Sequence, residues 1–161
     1  MIEIYKNVFV GNQFDYEDNI KSQDGWNVVQ ACKEPYHRKA LRYKKKSCRR
    51  NHPERLMAIR NNRLILNLID GEDINCVDST IIDASIEYIL NGKKVLIHCN
   101  KGHSRSAIIG MLFLATKGEF KGLSFEQAEK KYKLIYPPYE PHNGMRDYAK
   151  VNWDKYNKEE I

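Results

Sequence analysis

Residues 95–115, VLIHCNKGHSRSAIIGMLFLA, set a cysteine, a glycine and an arginine in a short turn between an apolar strand and an apolar helix. A loop wrapped so that successive backbone N–H groups point inward makes an anion-binding nest. The N-terminus of the helix that follows adds unpaired donors and the positive end of its dipole. Five residues, Asn100, Lys101, Gly102, His103 and Ser104, separate Cys99 from Arg105. Gly102 permits a tight, left-handed turn, and Arg105 brings a planar fork that matches two phosphoryl oxygens. Cys99 lies at the floor of this cup. Thiols ordinarily ionise near pH 8.5, but beside a helix N-terminus or a cation the value can fall to roughly 3.5–7.5. The chemistry expected is that of a sulfur nucleophile aimed at a bound phosphate.

The spacing alone is weak, because Cys32 and Arg38 in CKEPYHR repeat it after another strand-like stretch. Pro35 in that loop has no N–H to offer, no glycine is present, and the segment runs into basic residues rather than an apolar helix. Only HCNKGHSRS combines His98, Cys99, Gly102, Arg105 and Ser106 in one strand–loop–helix unit.

The elements that must hold this unit follow from the pattern of the chain. Ile2–Tyr5 and Val8–Val10 read as short strands around a turn, Trp26–Ala31 as a third and Arg63–Leu68 as a fourth. A helix is expected from about Asp78 to Leu90, since Ile81, Ile82, Ser85, Ile86, Ile89 and Leu90 recur at helical spacing. Asp78 or Ser79 can cap its start, and Asn91-Gly92 its end. Lys94–His98 is a continuous apolar strand of the kind covered on both faces, and Ser106–Thr116 a helix buried nearly all round. Ser124–Tyr136 carries a capping box from Ser124 and Gln127 and is stopped by Pro137-Pro138. A last helix spans about His142–Tyr156. Strands alternating with helices predict an α/β fold, a central, mostly parallel sheet flanked by helices. Ligands bind such sheets at the carboxyl ends of the strands, where Cys99 falls.

A length of 161 residues suits a single domain, 1–161. Hydrophobic content of 42% against 30% charged residues excludes wholesale disorder. The N-terminus reads as strand rather than as a signal segment, and no apolar run approaches the roughly 20 residues that cross a bilayer. A cytoplasmic protein without a transmembrane segment is expected. The four cysteines, Cys32, Cys48, Cys76 and Cys99, are expected to stay reduced. Cys32, His37, Cys48 and His52 are metal-capable, but their order departs from the paired spacing of zinc motifs, so no metal site is assigned. Charge is uneven: between Lys33 and Arg63 twelve Lys and Arg oppose two Glu, a net +10 that leaves the remaining chain at −4. Such a block reads as a solvated face or as a landing surface for an anionic partner, RNA or an acidic lipid.

His98, Cys99, Gly102, Ser104, Arg105 and Ser106 match the His-Cys-x-x-Gly-x-Ser-Arg-Ser signature of the dual-specificity branch of the cysteine-dependent protein tyrosine phosphatases. VFVGN at 8–12 resembles that family's opening strand and turn, LNLID at 66–70 its strand before the acid loop, and PHNGM at 141–145 the start of its last helix. Residues 33–62 depart from the family as a longer, more basic insertion, and Lys101 and His103 depart within the signature. The resemblance implies the protein tyrosine phosphatase-like fold and a cofactor-independent phosphatase. Cys99 would be the nucleophile, giving a phosphocysteine intermediate. The N–H groups of residues 100–105 and the Arg105 guanidinium would hold the phosphoryl oxygens, Ser106 would support the departing sulfur, and His98 would orient the loop. It also implies an acid on a neighbouring loop. Asp70 is favoured, with Glu72 and Asp73 as competitors, against the plainer reading of Asp70 as a turn residue before Gly71. Substrates would be phosphoproteins carrying phosphotyrosine, phosphoserine or phosphothreonine. The alternatives are a phosphoinositide or RNA 5′-phosphatase, or an inactive phosphate-binding module.

Overall fold

The computed structural model describes residues 1–158. Six strands, β1 (Ile2–Tyr5), β2 (Val8–Gly11), β3 (Asn27–Gln30), β4 (Met57–Arg60), β5 (Arg63–Leu66) and β6 (Val95–His98), form one sheet in the order β1-β2-β6-β3-β5-β4. The four inner strands are parallel, and the edge strands β1 and β4 run antiparallel to their neighbours. All four residues of β6 are buried. That follows from its place between β2 and β3, since a strand with two neighbours and two covered faces loses water on every side. The registers Gly11↔His98 and Gln30↔His98 align the carboxyl ends of β2, β6 and β3, so that Cys99 leaves the sheet at a common rim.

Helix α1 (Gln13–Asp15) runs into a π-helical turn over Tyr16–Ile20, and a second such turn, Lys33–His37, leads into α2 (Arg38–Leu41). The longer helices are α3 (Ser79–Asn91), α4 (Arg105–Thr116), α5 (Phe125–Ile135) and α6 (Asn143–Val151), with a short α7 (Trp153–Tyr156) at the end. Helix α4 is buried from Ser106 to Ala115 and packs on β6 and β2, with α3 beside it on β3 and β5. The expected caps are present. Asp78 accepts from the Thr80 amide at 2.8 Å, and Ser124 and Gln127 form the reciprocal box that opens α5.

The structure corrects the sequence reading in two places. The last helix is broken at Asn152, whose backbone (φ −99°, ψ 13°) leaves the helical region while its side-chain amide donates to the Tyr148 carbonyl at 2.9 Å. The basic stretch 33–62, where no strand or helix was assigned from the sequence, is structured. It holds the Lys33–His37 turn, α2 and the edge strand β4. Strand β4 pairs with β5 across the two-residue turn Asn61-Asn62, with Asn61 at φ 54°, a backbone region that Asn tolerates better than most residues.

Candidate active site

The cup after β6 is built as its residue types require. Gly102 has φ +78°, and a Cβ there would stand 2.8 Å from the Gly11 carbonyl oxygen, so both conformation and space demand glycine. With the chain turned in this way, the Gly102 N–H donates to Cys99 Sγ at 3.3 Å, and Ser106 Oγ lies 3.1 Å from the same sulfur. Among the described residues, the N–H groups of Lys101, His103, Ser104 and Arg105 make no hydrogen bond within the protein. They line a cavity of about 510 Å³ together with Asp70, Asn100, Pro141 and His142, and Cys99 is at its floor.

Arg105 is clamped from two sides. Its Nη1 donates to the Leu68 carbonyl at 3.0 Å and its Nη2 to Asn100 Oδ1 at 2.6 Å. Its Nε is buried without a partner. A buried guanidinium N–H left without an acceptor costs roughly 1–3 kcal/mol or more. Asn100 carries more than its share of the loop's fastening. Besides receiving Arg105, its amide donates to Gln13 Oε1 at 3.0 Å and to the Glu34 carbonyl at 2.9 Å, tying the loop to α1 and to the Lys33–His37 turn. Tyr136 Oη donates to the Gly102 carbonyl at 2.6 Å from the far side.

His98 is fully buried, its ring stacked on Tyr16 with centroids 5.1 Å apart and met edge-on by Tyr36. Burial pushes its imidazole down to about 4, so the ring is neutral at ordinary pH. Gln30 Nε2, a donor, lies 3.2 Å from His98 Nε2, which places the proton on Nδ1, 3.1 Å from the Cys99 carbonyl. Gln30 is held in turn by Arg63 Nη1 at 3.1 Å. His98 thus orients the backbone of the loop rather than facing the cavity.

The three acidic candidates fall in different places. Asp70 lines the cavity, with Oδ1 accepting from Ser104 Oγ at 2.7 Å and Oδ2 standing 3.8 Å from His142 Nδ1. Asp73 caps the short turn Ile74–Cys76 through the Asn75 amide at 2.8 Å, and Glu72 points outward to Asn143 Nδ2 at 3.0 Å. Neither lines the cavity. The loop carrying Asp70 is fastened by the Gly144 N–H, which donates to the Gly71 carbonyl at 3.1 Å, and a Cβ on Gly144 would collide with that carbonyl. Cys32, the thiol of the second spacing, is fully buried, and burial pushes it up to about 12.

Three lining or fastening groups were not read as such from the sequence. His142 and Glu140 line the cavity, and Ser104 acts through its side chain, accepting from the His142 N–H at 2.9 Å while donating to Asp70. The PHNGM stretch was the available signal, since it brings His142 and Gly144 to the Asp70 loop. Among the described residues no group of three or more His, Cys, Asp or Glu could hold a metal ion. His37, one of the metal-capable residues, is instead engaged at Nδ1 with Tyr43 Oη and at Nε2 with the Glu54 carbonyl.

Strand order, loop and following helix together define the fold of the dual-specificity phosphatases within the cysteine-dependent protein tyrosine phosphatase superfamily, the fold expected from the sequence resemblance. The crystal structure of DUSP15 superposes with a TM-score of 0.64 at 18% identity, covering 98% of this chain and 90% of that one. The Yvh1 phosphatase domain from Chaetomium thermophilum gives a TM-score of 0.62 at 18% identity over 96% of this chain and 95% of its own. The human tyrosine phosphatase-like serine/threonine/tyrosine-interacting protein gives 0.58 at 19% identity over 96% and 95%. No protein-family model and no curated protein sequence matches the chain.

Proposed function

We propose that the chain is a phosphatase that hydrolyses phosphomonoesters through a phosphocysteine intermediate. The observation that carries this reading is the set of unpaired loop amides at residues 101 and 103–105, whose residues line one cavity together with Cys99. In the first step Cys99 Sγ attacks phosphorus. The S–P bond forms, the P–O bond to the leaving group breaks, and Asp70 gives its proton to the leaving oxygen. The loop amides of residues 100–105 and the Arg105 guanidinium hold the equatorial oxygens while charge develops on them. In the second step water attacks phosphorus, Asp70 takes its proton, and the S–P bond breaks with the sulfur accepting a hydrogen bond from Ser106.

Proteins phosphorylated on tyrosine, serine or threonine are the substrates this reading favours. The exposed side chains of Lys101 and His103 at the cavity rim support a second reading, a substrate with more than one anionic group such as an inositol phospholipid or a 5′-phosphorylated RNA. Turnover of p-nitrophenyl phosphate by wild type, with loss of turnover in Cys99→Ser, is the expected result. Absence of hydrolysis in wild type would leave a phosphate-binding module in its place.

A further inference from the structure

A second cavity, of about 500 Å³, lies on the basic stretch and not at the Cys99 cup. Its lining includes Lys21, Lys39, Arg42, Arg60 and Arg63. Its cations outnumber the carboxylates within reach. The two acidic residues between Lys33 and Arg63 are both taken by arginines, Glu34 by Arg38 with the shortest contact at 2.7 Å and Glu54 by Arg60 at 2.6 Å. The one carboxylate in the cavity wall, Glu17, is held by Lys21 Nζ and Tyr36 Oη, each at 3.0 Å. Lys39 and Arg42 are exposed, and among the described residues their side chains form no hydrogen bond or ion pair. The same is true of Lys44, Lys45, Lys46, Arg49 and Arg50, which follow α2 in the chain. The two cavities lie on either side of the Lys33–His37 turn. Tyr36 lines one, while the Glu34 carbonyl holds the Asn100 amide of the other.

Like charges held close without counter-charges raise the energy of the folded chain, and a ligand that brings many evenly spaced anions relieves it. A membrane surface engages an open face, whereas Lys39 and Arg42, the two unpaired cations of the lining, stand in the wall of a recess. A phosphopeptide brings one or two phosphates, fewer than the cations present. We propose that this recess and the lysines beyond it bind the backbone of a single-stranded nucleic acid, with Lys39 and Arg42 among its phosphate contacts. The binding does not depend on Cys99 or on which phosphomonoester is cleaved.

The test is fluorescence anisotropy of a fluorescein-labelled single-stranded oligoribonucleotide with the Cys99→Ser protein, titrated at several potassium chloride concentrations. Lys39→Ala/Arg42→Ala should weaken binding about tenfold. It should also flatten the slope of log affinity against log salt by about 1.4, or about 0.7 for each contact removed from a single strand. In the Cys99 background the same pair should leave p-nitrophenyl phosphate hydrolysis unchanged. Lys44→Ala/Lys45→Ala/Lys46→Ala, on an exposed loop, should flatten the slope by about 2 and provides a variant that does not touch the recess. Binding equal to wild type in both variants, or no binding by wild type, overturns the proposal. Tighter capture of phosphatidylserine vesicles or of a doubly phosphorylated peptide, dependent on the same two residues, overturns the nucleic-acid assignment. Because binding is read in a protein without the nucleophile, failure of the phosphatase reading would leave this result standing.

Discussion

Lowering the pH from 7 to 4 should cost this protein about 3 kcal/mol of stability through one imidazole. His98 is fully buried and ionises only near 4, against an ordinary value of 6.5 for a histidine in the unfolded chain. Between those two values the unfolded chain binds a proton that the folded protein refuses, so stability falls as the pH drops through this window. A gap of about 2.5 units at about 1.36 kcal/mol per unit amounts to about 3 kcal/mol, a large fraction of the 5–15 kcal/mol by which domains of this size are usually stable. The measurement is urea unfolding followed by the fluorescence of Trp26 and Trp153, both buried, at a series of pH values for wild type and His98→Asn. Asparagine keeps a donor near the Cys99 carbonyl and removes both the titration and the ring stack on Tyr16. The variant should start about 1–2 kcal/mol less stable at pH 7.5, the scale of a lost aromatic pair and its packing. From there it should lose about 3 kcal/mol less than wild type on going to pH 4. His37, which burial also holds below its ordinary range, titrates in both proteins and drops out of the difference. Parallel curves for the two proteins would refute the reasoning.

Asp70→Asn should lower kcat by about 10²–10⁴-fold for aryl phosphates with poor leaving groups and much less for p-nitrophenyl phosphate, because only the former need the proton. Asp73→Asn should leave kcat alone and at most shift thermal unfolding through its cap on residues 74–76. Gly102→Ala should cost about 1–3 kcal/mol in denaturant unfolding and abolish turnover, since a Cβ at φ +78° meets the Gly11 carbonyl. Asn100→Ala removes the acceptor for Arg105 Nη2 and should raise KM about tenfold in steady-state assays, with inhibition by inorganic phosphate weakened in parallel.

The strands and helices around the cup were legible because their apolar periodicity is strong and uninterrupted, as in VLIH of β6 and the ten buried residues from Ser106 to Ala115 in α4. Strand β4 was not, since its four residues alternate only weakly and lie inside a basic stretch whose charge dominates any reading of composition. The Asn61-Asn62 turn between two short runs was the usable signal for it. The break at Asn152 was hidden for a different reason. The apolar stripe from Met145 to Tyr156 continues through it, and only the backbone conformation of Asn152 interrupts the helix. In the site, the residue types of HCNKGHSRS made the tight loop between strand and helix legible. The choice among Asp70, Glu72 and Asp73, by contrast, depends on how the loop is pinned by Gly144 and on which carboxylates are already engaged, which is information carried by tertiary contacts.

Those contacts also explain why the cup can stand open with its donors unpaired. A loop whose amides and buried guanidinium Nε have no acceptor would relax if it were free, so its shape must be imposed from outside. Four anchors do this: Asn100 to Gln13 and Glu34, Tyr136 to the Gly102 carbonyl, the His98 ring to the Cys99 carbonyl, and Ser104 to Asp70 and the His142 amide. Each anchor comes from a different element, and none uses a donor aimed into the cavity. The donors are therefore already oriented when a phosphoryl group arrives, and little reorganisation is required as charge builds on its oxygens. The Ser104 anchor has a further consequence, since it joins the proposed acid to the same loop that holds the proposed nucleophile. Removing that hydroxyl with Ser104→Ala should leave Cys99 in place but free the Asp70 carboxylate and the residue 142 amide together. The variant should still form the phosphocysteine from p-nitrophenyl phosphate in acid-quenched samples, while kcat for poor leaving groups falls about as far as it does in Asp70→Asn. Unchanged turnover of poor leaving groups would show that Asp70 holds its position without Ser104.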